Sequence, residues 1–119
     1  MKKTRIFFLF FIFSTLTVFA QNSLVPIEFL TKTENNYTRN DISAQIALRE
    51  ALVSRNISEI KYINLQRIRV IERDNLSWWE RRSNVQVIEY NRQINELNDE
   101  NNRYKREISR LNQVLRKLR

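Results

Sequence analysis

The chain has 119 residues, with 21 Lys and Arg against 13 Asp and Glu for a formal charge of +8, and it contains no His, Cys or Gly and a single Pro, Pro26. Those zeros exclude an imidazole base, His- or Cys-ligated metals, disulfides, thiol nucleophiles, acylated cysteine anchors and a glycine loop that cradles phosphate. The length suffices for one small domain.

Residues 1–20 have the layout of a secretory signal peptide. Lys2, Lys3 and Arg5 lead an apolar run from Ile6 to Ala20, and Val18 and Ala20 stand at −3 and −1 before Gln21. A bilayer core of about 30 Å needs roughly 20 apolar residues, and this run is shorter, so cleavage after Ala20 is the expectation and a retained N-terminal anchor is the alternative. Cleavage removes three cations and no anion, leaving a charge of +5. That charge suits an anionic partner or simply a soluble surface, and its interspersion with acids favours the solvated reading.

Residues 21–40 hold Leu24, Val25, Ile27, Phe29 and Leu30 with no sustained period, and read as an irregular arm or linker whose apolar side chains dock on the helices that follow. Thr38, Asn40 and Asp41 are all competent N-caps. A short helix is expected over 41–55, with Ile42, Ile46 and Val53 on one face. Asn56 with Glu59 three residues on resembles a capping box, placing the start of a second helix at 57–76. Tyr62-Ile63 and Ile68-Arg69-Val70-Ile71 are rich in β-formers, so a strand is the alternative there. Ser77 with Glu80 is another such pair and marks a kink or hairpin corner near Asp74 to Ser77.

The span 77–119 reads as a helix containing a coiled-coil seam over 87–118. Position a is Val87, Ile94, Asn101, Ile108 and Leu115; position d is Tyr90, Leu97, Tyr104, Leu111 and Leu118. A 3.5-residue repeat keeps one stripe against a partner helix. Asn101 is the polar exception. A matching Asn on a parallel, in-register neighbour satisfies it, and β-branched residues at a with Leu at d suit the same two-stranded arrangement. Tyr90 and Tyr104 at d suit it poorly and leave room for an antiparallel hairpin with residues 57–76.

The run from Leu97 to Leu118 resembles a leucine zipper, a resemblance confined to the seam. A DNA-binding zipper carries a basic helix directly upstream, whereas Trp78-Trp79-Glu80-Arg81-Arg82-Ser83 stands there, so nucleic acid is not the expected partner. Trp78, Trp79, Arg81 and Arg82 form the one unusual local cluster. Two indoles beside two guanidiniums can recognise a membrane interface, a sugar or a protein, or can fill the corner between helices.

The residues left for catalysis are Ser, Thr, Lys, Tyr, Asp and Glu, and the adjacent carboxylates Asp99 and Glu100 lie mid-seam with no concave pocket to exclude water. No catalytic, cofactor or metal site is expected. The sequence thus predicts an all-α protein of elongated helices ending in a C-terminal coiled coil, with no compact globular core. It points to an exported, non-enzymatic element of a bacterial kind of cell envelope, periplasmic or extracellular, that serves as an assembly, spacer or adaptor unit. Its expected partner is a second copy in a parallel dimer, or another envelope protein. An adhesin-like binder acting through Trp78 to Arg82, and a membrane scaffold with a retained anchor, are the alternatives.

Overall fold

A computed structural model describes residues 23–32 and 37–118. The expected signal segment, residues 1–20, lies outside them, as does part of the arm. The described residues are all-α, with no strand. Four helices follow in order: α1 (Ile27–Leu30), α2 (Arg39–Arg73), α3 (Trp78–Ser83) and α4 (Val85–Lys117). At 1.5 Å per residue, the 35 residues of α2 and the 33 of α4 each extend about 50 Å. No helix among the described residues is long and apolar enough to cross a membrane.

Two compact units divide the chain: residues 1–48 with 111–119, and residues 49–110. In the first, Thr38 starts α2 as a reciprocal cap. Its hydroxyl accepts from the Asp41 N–H at 3.2 Å, and its own N–H donates to Asp41 Oδ2 at 2.8 Å, so two orphan donors are satisfied. The arm docks there. The Gln45 side chain accepts from the Val25 N–H at 2.9 Å and donates to the Ser23 carbonyl at 3.0 Å, and Leu30 is fully buried. Burial of a leucine contributes roughly 2 kcal/mol, enough to order a short segment. Ile42, Ile46, Leu48 and Leu111 complete the buried apolar set of this unit. Arg39 donates to the carbonyls of Leu115 and Leu118 at 3.3 and 3.5 Å, placing a cation at the negative end of α4.

The second unit contains an antiparallel pair of helical segments. Its contacts run in opposite chain directions: Arg49 meets Glu107, Asn56 meets Glu100 and Asn101, Arg67 meets Asn91, and Arg73 meets Gln86. The corner between them is built without glycine. Asn75 takes the left-handed conformation, φ 48°, which Asn tolerates better than most residues. The Leu76 N–H then donates to the Ile71 carbonyl at 2.9 Å and the Asn75 N–H to the Glu72 carbonyl at 3.2 Å, a Schellman closure of α2. Ser77 caps α3 by accepting from the Glu80 N–H, while its hydroxyl donates to Glu80 Oε1 at 2.7 Å. Asn84 closes α3 with its N–H on the Glu80 carbonyl and opens α4 by accepting from the Val87 N–H at 3.1 Å.

Two expectations need correction. The break expected between the helices at 41–55 and 57–76 does not occur, because α2 runs unbroken from Arg39 to Arg73, and it excludes the strand alternative over that stretch. Asn56, expected to cap a new helix, is fully buried in mid-helix. Its amide is used across the helix pair, so the local capping arrangement has no role there. The β-formers lose to helical neighbours for the same reason: Ile63 and Val70 gain more from burial on the seam than their weak helix propensity costs. The helix expected from 77 is divided at Asn84 into α3 and α4.

Candidate functional site

The seam of α4 faces inward at nearly every position. Val87, Asn101, Tyr104 and Leu111 are buried, Tyr90, Ile94, Leu97, Ile108 and Leu115 are half-buried, and Leu118 is exposed at the helix end.

α2 carries a second seam with the same alternation of three and four residues: Ile42, Ile46, Arg49, Val53, Asn56, Ile60, Ile63, Arg67 and Val70. Three of its positions are polar, and each meets a polar residue of α4 within the second unit. Asn56 Nδ2 donates to Asn101 Oδ1 at 2.9 Å and to Glu100 Oε1 at 3.0 Å. Arg49, 1% exposed, holds Glu107 at 2.8 Å, and Arg103 reaches the other Glu107 oxygen at 4.0 Å. Arg67 donates to Asn91 at 2.5 Å and is braced by Asn64 on its own helix. The partner of Asn101 is therefore Asn56 of the same chain, where a parallel neighbour was expected. An amide in a seam is indifferent to which chain supplies its match, and Asn56 sits opposite it at the right height.

Buried polar pairs of this kind add little net stability, since desolvation cancels most of their attraction. They specify register. A slip of one turn would leave Arg49, Asn56 and Asn101 buried without partners, each costing about 1–3 kcal/mol or more. Two atoms already lack a partner, Asn56 Oδ1 and Glu59 Oε2, one helical turn apart. Burial also pushes the Tyr104 hydroxyl above its ordinary range, with the nearby Glu100 charge acting in the same direction.

The corner is the opposite case. No residue of α3 is buried. Trp78 and Trp79 are 54% and 72% exposed, their rings meeting edge to face at 4.8 Å. The Arg82 guanidinium lies 3.9 Å over the Trp78 ring, as the four-residue spacing allows on a helix. Arg81 donates to the Leu76 carbonyl at 3.3 Å. Beside the corner Arg73 pairs with Asp74 and holds that carboxyl below its usual range. The corner-filling reading of the two indoles is thus excluded, and the exposed tip is the candidate recognition site.

One other concavity occurs among the described residues in the first unit, an open depression lined by Arg39, Asn112, Leu115 and Arg116. Arg39 is committed there to helix-end carbonyls. Sequence reasoning missed Arg49, Asn56 and Arg67 as seam residues, although the three-four spacing on α2 was available to find them. Comparison with family models, curated proteins and solved structures finds no match to this chain.

Proposed function

We propose that the chain is an exported, non-enzymatic coiled-coil element of a cell envelope, in which a helical pair acts as a spacer or adaptor that displays its corner. The observation that carries this reading is the contrast within residues 49–110. Polar pairs that fix register hold the two helical segments together, while all six residues of α3 remain exposed. That is the distribution of a rigid support with a displayed tip, and it supports a binding role better than a catalytic one. Export is supported by the basic leader, apolar run and small residues ending at Ala20. A parallel dimer through the same seam would have to break the Asn56–Asn101 contact and forms no part of this reading.

The exposure of Trp78 and Trp79 also favours the adhesin-like alternative, in which the tip contacts a surface outside the cell. Intact mass of the native protein from fractionated cells tests the reading. A mass lacking residues 1–20 in the soluble exported fraction agrees with it. A full-length mass in the membrane fraction replaces it with an anchored scaffold, and recovery in the cytoplasm contradicts export.

A further inference from the structure

The tip pairs apolar area with unopposed positive charge. Trp78 and Trp79 are followed, across Asn84, by Val85 at 79% exposure and Ile88 at 48%. The acid within α3, Glu80, accepts from the Ser77 hydroxyl. Among the described residues neither Arg81 nor Arg82 is paired with a carboxylate. A tight N-cap, a Schellman closure on one side and the double cap at Asn84 on the other fix this short segment in place.

We propose that this tip is an interfacial anchor for an anionic lipid bilayer surface, with Trp78, Trp79, Val85 and Ile88 entering the headgroup region and Arg81 and Arg82 meeting lipid phosphates. Indole is apolar over its rings and carries one N–H donor, which is why tryptophan concentrates at membrane–water boundaries. Guanidinium binds phosphate by paired donors. The two rings stand at 81° to each other on a corner with no cavity beneath them. A folded partner would need two diverging pockets to take them, whereas a fluid interface needs none. Six helical residues and two cations make a shallow, reversible and salt-sensitive contact. The inference stands whether or not the chain is exported.

Trp78 and Trp79 are the only tryptophans in the chain, so intrinsic fluorescence reports on the tip alone, even if the apolar N-terminal residues also touch lipid. The full chain is mixed with phosphatidylcholine vesicles with and without phosphatidylglycerol. With phosphatidylglycerol, the emission should shift to shorter wavelength and be quenched by lipids brominated close to the glycerol level, and added salt should reverse both. Arg81→Gln with Arg82→Gln should weaken partitioning on the order of tenfold. Since α3 buries nothing, helicity should be unchanged in that variant; if it falls, the salt response of the wild type decides instead. Emission unmoved by anionic vesicles, or moved equally by neutral ones, would overturn the proposal, as would a shift that salt leaves intact. A shift seen only with added soluble polysaccharide or protein would overturn it in favour of a different partner.

Discussion

Asn56 and Asn101, 45 residues apart in sequence, share a 2.9 Å hydrogen bond with exposures of 0% and 4%. The pair makes the seam specific. Either amide alone is a buried polar group without its match, whereas two leucines in their place would pack as ordinary seam residues. Asn56→Leu should therefore lower stability by about 1–3 kcal/mol, and Asn56→Leu with Asn101→Leu should recover most or all of it. Urea unfolding followed by circular dichroism measures both. A double variant no more stable than the single one would show that the pair is not coupled.

Arg49 and Glu107 should behave in the same way with larger amplitude. Glu107→Gln leaves a guanidinium that is 1% exposed without its carboxylate, which costs about 3 kcal/mol or more. Arg49→Met with Glu107→Leu replaces the ion pair by apolar volume and should come close to wild-type stability. The double-mutant cycle measures the coupling, and additive losses would contradict it.

How far the sequence could be read depended on which residues occupied each seam. On α4, apolar or aromatic side chains fill nine of ten a and d positions, so the helix and its inward face were legible. On α2 the same spacing passes through Arg49, Asn56 and Arg67, and polar residues at core positions hide the period. Asn56 followed by Glu59 was also locally ambiguous, because a residue and its third neighbour share a helix face whether they cap a terminus or meet another helix. The corner was marked by Ser77 and Glu80, but the left-handed Asn75 was not, since in a chain without glycine nothing advertises that position. The Trp78–Trp79 pair was undecidable from sequence, since burial depends on what lies opposite.

Tyr104 gives the fold an alkaline limit. Its hydroxyl is held above the ordinary range mainly by burial, so the folded state keeps the proton more firmly than the unfolded chain does. That contribution is fully present below the unfolded value of about 10 and is lost as pH rises through the higher folded value. Denaturation midpoints measured from neutral to strongly alkaline pH should fall over that window, and part of the fall should vanish in Tyr104→Phe. An identical alkaline loss in the variant would place its origin elsewhere.

Asn75 should tolerate glycine and reject branched residues. At φ 48°, Asn75→Gly should be neutral within about 0.5 kcal/mol, while Asn75→Val should cost about 1–2 kcal/mol. Thermal unfolding distinguishes the two, and equal effects would mean that the corner relaxes to accept any residue.

The antiparallel pairing within residues 49–110 is tested most directly by a distance. Glu50 and Arg106 are both exposed on helices that meet at Arg49 and Glu107, and the chain has no cysteine of its own. Spin labels on Glu50→Cys and Arg106→Cys, in protein diluted with unlabelled chain, should lie within about 30 Å, the interaxial spacing plus two label arms. If the chain instead ran as one continuous helix in a parallel dimer, the same labels would stand about 85 Å apart. A short distance that survives dilution supports the pairing within the chain; a long one, or a short one that dilution abolishes, contradicts it.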